Sequence, residues 1–425
     1  MKILLLLLSL GLLLPGCTTD RSAAAFVRVE DGRFLLAENP YYFIGANFWY
    51  GPILASQGEG GDRQRLAREL DALSGCGVTN LRILVGADGA EGVVSKVEPT
   101  LQRAPGDYND ALLDGLDYLM QQLSRRGMKA VLYLNNSWEW SGGYGQYLAW
   151  AGAGAAPVPA VDGWPAYMEY VKGFIPNDRA RELFADHVRF IVGRTNRYTG
   201  LKYTDDPAIF SWQIGNEPRA FSEQNKDAFA AWIGSTAQLI RSLDANHLIS
   251  TGSEGIWGCE GDAALAERIH AFPEISYINL HIWPYNWNWA SSDALADGLS
   301  NAETETGRYI DRHLDIAARL HKPAVVEEFG FPRDSFRFER GSATSLRDAY
   351  YKYVFDRVAA SKAEGGLLAG CNFWGWGGEA RPAHLYWQRG DAYCGDPAQE
   401  QQGLNSVFDD DTTVDVIRAS NLRLQ

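Results

Sequence analysis

The chain predicts an α/β fold of one kind: a single (β/α)8 TIM barrel with long loops at the C-terminal face. Three observations carry this expectation. Short β-rich apolar runs recur eight times, amphipathic stretches lie between them, and no linker or sequence repeat divides residues 26 to 425. An open doubly wound sheet is the alternative, but nothing resembles the glycine-rich nucleotide turn that would support it.

Taken in order, the strands are expected near Phe43 to Asn47, Asn80 to Val85, Ala130 to Asn135, Ile209 to Ile214, Leu248 to Thr251, Tyr277 to His281, Ala324 to Glu328 and Leu367 to Trp374. Each is a short apolar run followed by a loop rich in glycine and aromatic residues, as expected for strands covered on both faces. The helices fall between them. In "DRQRLARELDALSGCG" (62 to 77), Leu66, Leu70 and Leu73 make one apolar stripe that ends at a glycine stop.

Composition narrows the function. The 425 residues are 46% hydrophobic and 22% charged, enough for a large core and unlike a disordered chain. The formal charge is -14, from 39 Lys+Arg against 53 Asp+Glu with no basic block, which argues against nucleic-acid partners and favours a neutral substrate.

The first residues read as an address. Lys2 precedes an apolar stretch from Ile3 to Leu14, shorter than the roughly 20 residues of a membrane span, so residues 1 to 16 are expected to be a signal peptide. Leu14-Pro15-Gly16-Cys17 resembles a bacterial lipobox. Cys17 would then carry the lipid and residues 17 to 25 the tether, leaving an anchored lipoprotein facing periplasm or exterior; release after cleavage is the alternative. Cys76, Cys259, Cys371 and Cys394 remain, an even number that permits disulfides without specifying them. No CxxC or HxxxH pair is present, so neither a metal nor another cofactor is expected.

Barrel enzymes place their chemistry at the C-terminal ends of the strands, and here those ends are polar. Arg82 lies on the second, Asn135-Asn136 end the third, Asn216-Glu217 follow the fourth, His281 ends the sixth, Glu327-Glu328 the seventh and Trp374 the eighth. Buried charge costs several kcal/mol unless paired, so a purely structural barrel has no reason to repeat this pattern. Carboxylates on tips four and seven suit glycosidic cleavage, where one must protonate the leaving oxygen and the other must meet positive charge at the sugar carbon. An inward Arg82 would keep the tip-seven carboxylate ionised.

These stretches resemble glycoside hydrolase family 5, in the clan of retaining barrel glycosidases, and its β-mannanase branch in particular. They are "GANFWYG" (45 to 51), "NLRIL" (80 to 84), "LYLNNSWEWSGG" (132 to 143), "SWQIGNEPR" (211 to 219), "LHIWPYNW" (280 to 287), "VVEEFG" (325 to 330) and "GCNFWGWGGEARP" (370 to 382). The resemblance implies that Glu217 is the acid/base and Glu328 the nucleophile. It also implies that Asn216 holds the sugar 2-hydroxyl, that Arg82 and His281 orient the nucleophile, that Trp374 floors the subsite beside the cleaved bond, and that Arg219 meets the leaving group. Asn136, Trp49, Trp138, Trp283, Trp376 and Arg381 complete the expected substrate contacts. Strand alternation would turn Glu327 toward the helix layer, as a paired structural carboxylate.

The sequence holds 14 tryptophans, many in loops, and indole faces match the C–H faces of sugar rings; about half are expected to be simply buried. The implied substrate is β-1,4-mannan, glucomannan or galactomannan, acted on by a monomer. Endo attack is expected ahead of exo, although the long segments 141 to 178 and 384 to 403 could narrow the groove. A β-1,4-glucanase, an exo-acting β-mannosidase and a lipoprotein that captures glycans without cutting them are the alternatives. A metal-dependent barrel hydrolase fits less well, since only His281 among seven histidines lies at a tip.

Overall fold

The structure, a computed structural model, describes residues 25–339 and 341–425. The expected signal peptide, Cys17 and all but the last residue of the tether lie outside the described residues. Among those described, no helix is long and apolar enough to cross a membrane.

Eight parallel strands form the central sheet: β1 (Phe43–Asn47), β2 (Asn80–Leu84), β3 (Lys129–Tyr133), β4 (Ile209–Gln213), β5 (Leu248–Ser250), β6 (Ile278–Ile282), β7 (Ala324–Phe329) and β8 (Leu368–Phe373). Each bound falls within two residues of its expectation. The order is β5-β4-β3-β2-β1-β8-β7-β6, so the sheet curls almost into a closed barrel with its seam between β5 and β6. At the seam, Ser276 N–H donates to Ile249 O at 2.8 Å, and Asn279 Oδ1 accepts from the N–H groups of Thr251 and Gly252 at 3.0 Å each. An asparagine side chain thus stands in for part of the missing ladder.

Eight main helices follow the strands in turn: α1 (Arg63–Gly75), α2 (Asp110–Arg125), α3 (Asp178–Val192), α4 (Lys226–Leu243), α5 (Ala263–His270), α6 (Leu295–Leu320), α7 (Ser345–Glu364) and α8 (Thr413–Leu422). Their apolar stripes face the sheet. In α1, Leu66, Leu70 and Leu73 are fully buried, Asp62 caps the first turn by accepting from the N–H groups of Gln64 and Arg65, and Gly77 leaves at φ +78°, a backbone conformation that only glycine adopts without strain.

The N-terminal end of the barrel is plugged. Arg28–Glu30 and Arg33–Leu36 pair as an antiparallel ribbon beneath it, and Phe34 inserts edge-on against Phe210 and Tyr277, at ring-centroid distances of 5.1 and 5.4 Å. Phe43, Val131, Leu248 and Val325 complete this apolar layer. The four cysteines are buried free thiols on separate elements.

One irregularity shapes the site. Leu280 pairs with Val326, but the next β6 residue, His281, pairs with Glu328, so Glu327 is an extra residue on β7. Such a bulge re-aims the side chains around it.

Candidate active site

The segment after β4 brings its carboxylate to the barrel mouth through a strained backbone. Glu217 sits at φ +51°, in the left-handed region where a residue with a side chain is held at a cost of about 1–2 kcal/mol. Its neighbours over-determine it. Asn216 N–H donates to Asn135 O at 2.7 Å, Glu217 N–H donates to Gly252 O at 2.9 Å, and Pro218 ends any regular continuation. Three adjacent strand ends therefore fix the turn.

Arg82 is the hub beneath it, fully buried on β2. Its Nε donates to Gln213 Oε1 at 2.7 Å, Nη1 donates to Asn47 Oδ1 at 3.1 Å and to Glu328 Oε1, and Nη2 donates to Asn216 Oδ1 at 2.9 Å. The guanidinium also lies over the Tyr133 ring, 4.3 Å from its centroid. His281 joins the two acids: Nδ1 is 2.8 Å from Glu217 Oε1 and 3.4 Å from Glu328 Oε2. Trp138 Nε1 donates to the other Glu217 oxygen. One ligand atom each from Glu217, His281 and Glu328 lie within 4.8 Å of one another. That spacing would also suit a metal ion, but Arg82 already occupies a Glu328 oxygen and supplies the local positive charge.

Glu327 corrects the alternation argument. It does not face the helix layer; because of the bulge, both glutamates reach the barrel interior. Gln213 and Tyr277 donate to Glu327, and Arg82 Nε lies 3.8 Å from it. The expectation that it is a paired carboxylate stands, with its partners inside the barrel.

Burial raises the pKa of both carboxyls, Glu328 well above the usual range and Glu217 less so, and the negative charge of Glu217 adds to the rise on Glu328. Such a pair holds one proton more readily than two charges. Although the larger rise falls on Glu328, the guanidinium is bonded there and not to Glu217, and that direct contact assigns the negative charge to Glu328. Burial and the nearby Arg82 push His281 well below its ordinary value, so it acts as a neutral Nδ1–H donor between the acids.

Glu217 and Glu328 open into a cavity of about 520 Å³. Asn216, Arg219, Trp138, Trp283 and Trp374 line it as expected, with Trp140, Trp257 and Trp287 adding further indole faces. Arg219 reaches the cavity already paired, its Nε 2.8 Å from Glu254 Oε2 and its guanidinium 5.4 Å from the Trp138 ring.

Four expected contacts lie elsewhere. Asn136 is buried behind the wall, donating to Ser141 Oγ at 2.9 Å and accepting from Asn216 Nδ2 at 3.2 Å, so it positions Asn216. Trp49 is buried and donates to Gly395 O at 2.8 Å, tethering the loop after β8. Trp376 turns toward α1, donating to Glu69 Oε2 at 2.8 Å. Arg381 pairs with Asp409 and Asp410 and stacks on Phe408, outside the cavity.

Other cavity residues were not anticipated: Trp164 and Met168 from the insertion after β3, Glu254 after β5, Asn286 after β6, and Pro397, Gln399 and Glu400 from the loop after β8. Glu254 had a visible signal, a carboxylate three residues past a strand end; the others depend on how long loops fold back. Buried oxygens of Gln399 and Glu400 have no hydrogen-bond partner, and burial lifts the Glu400 carboxyl to about 8.

A parallel barrel that carries two facing carboxylates, an arginine on one of them and an aromatic cavity around both defines a sugar-cleaving barrel enzyme as its class. The comparisons with known proteins agree. The family described as GH family 5 beta-mannosidase-like matches residues 24–425, and the chain belongs to glycoside hydrolase family 5. A rice (Oryza sativa subsp. japonica) protein named putative mannan endo-1,4-beta-mannosidase 9 is 31% identical over 376 residues, covering 85% of this chain and 84% of its own. The crystal structure of a family 5 mannosidase from Rhizomucor miehei superposes with a TM-score of 0.87 at 33% identity, covering 95% of this chain and 98% of its own. An endo-1,4-beta-mannanase from the same fungus, at 22% identity and a TM-score of 0.67, shares the fold.

Proposed function

We propose that the protein is a retaining β-mannosidic hydrolase that removes units from the ends of β-1,4-linked manno-oligosaccharides. The observation that carries this reading is the carboxylate pair, with oxygens within 4.8 Å, facing a cavity of about 520 Å³ whose wall includes the loop after β8. Retaining glycosidases hold their carboxyls about 5–5.5 Å apart, inverting ones about 6.5–9.5 Å, because the latter must fit a water between the basic carboxylate and the sugar. In the first half of the reaction Glu217 protonates the leaving oxygen while Glu328 attacks the sugar carbon. In the second half Glu217 takes a proton from the water that hydrolyses the glycosyl ester.

Attack at chain ends is favoured by the wall after β8. Asp396 accepts from the N–H groups of Gly403, Asn405 and Ser406, and Gln402 Nε2 donates to the carbonyls of Asp396, Pro397 and Glu400, so this wall is stapled from within. Gln399 and Glu400 line the cavity and each keeps one buried oxygen without a hydrogen-bond partner, which suits the extra hydroxyl of a terminal sugar. Internal cleavage, which the sequence favoured, keeps the support of the rice relative's name. A mannohexaose time course decides between them: mannose and mannopentaose as the first products support end attack, and an early mixture of mannobiose to mannotetraose overturns it.

The carboxylates, Arg82 and His281 all come from one chain, which favours a working monomer. Export and lipid attachment at Cys17 are proposed from Leu14-Pro15-Gly16-Cys17 alone. Radiolabelled palmitate should mark the wild type and not Cys17→Ala; equal labelling would refute the anchor.

A further inference from the structure

Just beneath the nucleophile the barrel buries a carboxylate that cleavage does not use. Glu327 is wholly buried; the Tyr277 hydroxyl donates to its Oε1 at 2.6 Å, and the Gln213 amide nitrogen donates to its Oε2. Gln213 is locked in one orientation by its two neighbours. Its oxygen accepts from Arg82 Nε at 2.7 Å, while its nitrogen faces Glu327 and also donates to Ser250 Oγ at 3.1 Å. A flipped amide would set nitrogen against the guanidinium and oxygen against the carboxylate, losing both bonds. With Nε engaged by Gln213, the two Nη groups of Arg82 are left aimed at Glu328, Asn47 and Asn216.

We propose that Glu327 is a positioning residue for the nucleophile: through Gln213 it orients the Arg82 guanidinium, and with its own charge it draws part of that cation's field away from Glu328. The inference rests on the reading of Glu328 as nucleophile. Groups facing Glu328 are Arg82 from β2, Tyr133 from β3, Glu217 after β4, Glu254 after β5 and His281 from β6. Glu327 is faced by Arg82, Tyr277 and Gln213. Arg219 is turned onto Glu254 and His281 is neutral, so Arg82 is the full positive charge in contact with the nucleophile, and Glu327 is the carboxylate that shares it. An unshared guanidinium would hold Glu328 more firmly as an anion and make it a poorer nucleophile.

The test is Glu327→Gln, assayed on mannotriose across pH. The expected result is a fall in kcat of about ten-fold or more with KM within about two-fold, because the defect lies in the reacting geometry and not in binding. The acidic limb of kcat/KM, set by ionisation of Glu328, should move to lower pH, since the nucleophile loses a neighbouring anion. Glu327→Asp keeps the charge and should hold the limb near its wild-type position. A merely structural carboxylate would lower the melting temperature and leave the limb in place; a folded Glu327→Gln enzyme with wild-type kcat and limb overturns the proposal. Should that variant not fold, Tyr277→Phe removes one donor to Glu327 while keeping the ring and the charge; more of that charge then rests on Arg82, so a smaller displacement in the opposite direction, to higher pH, is expected, and an unmoved limb overturns the proposal equally. Persistent hydrolysis by Glu328→Ala would refute the nucleophile reading itself, which separates the two failures.

Discussion

The two ends of the barrel both bury side chains and hold them by different physics. At the N-terminal end Phe34, Phe43, Phe210 and Tyr277 meet edge to face around Val131, Leu248 and Val325. At the C-terminal end the residues just as deeply buried are Asn47, Arg82, Asn216, His281, Glu327 and Glu328. The lower end is stabilised by apolar area, at about 25 cal/mol per Å² removed from water. The upper end carries desolvated charges whose hydrogen bonds do little more than offset the cost of burying them. One end therefore supplies stability and the other uses it, and damage to each should read out differently.

The largest expected break is at the upper end. Glu328→Ala should lower kcat by on the order of 10⁴-fold or more, as expected for loss of a covalent nucleophile, while mannotriose binding measured by calorimetry survives. Glu217→Gln should cost about 10²–10⁴-fold on mannobiose and far less on an aryl mannoside whose leaving group needs no proton; equal losses on both substrates would remove Glu217 from the acid role. At the lower end, Phe210→Ala should destabilise the fold by about 3–5 kcal/mol in a denaturant titration and leave the kcat of the folded enzyme unchanged. A matching loss of activity in folded protein would mean that the two ends are not separable.

The smallest effect sharpens the comparison within the site. Activity should follow a bell against pH, with Glu217 in its acid form setting the basic limb and Glu328 as anion the acidic one. The Trp138 indole N–H opposes the burial that raises the Glu217 carboxyl. Trp138→Phe removes a donor to the ionised form, so the acid form persists further and the basic limb should move to higher pH. Movement to lower pH would contradict the assigned contact.

Much of the upper end was legible as letters. Eight apolar runs, each followed by a polar tip, located the strands within two residues and nominated Arg82, Asn216, Glu217, His281 and Glu328, all of which converge. Indoles were less legible, since burial and ligand contact use the same residue: Trp138, Trp283 and Trp374 line the cavity, whereas Trp49 and Trp376 donate into the scaffold. Alternation misdirected Glu327 because a bulge depends on the pairing of β6 with β7, which one strand read alone does not contain.

Local pattern and spacing are short-range properties, and from them the sequence by itself determined the barrel class, the strand order along the chain and the acids offered at its tips. The tertiary structure alone decided which of two adjacent glutamates lines the cavity. It also decided which loop residues wall the cavity, Trp164, Glu254 and Glu400 among them, and how Gln213 links Glu327 to Arg82. Those outcomes depend on register between strands and on loops returning over the barrel mouth, where residues more than a hundred positions apart come into contact; no local preference of the chain encodes such distances.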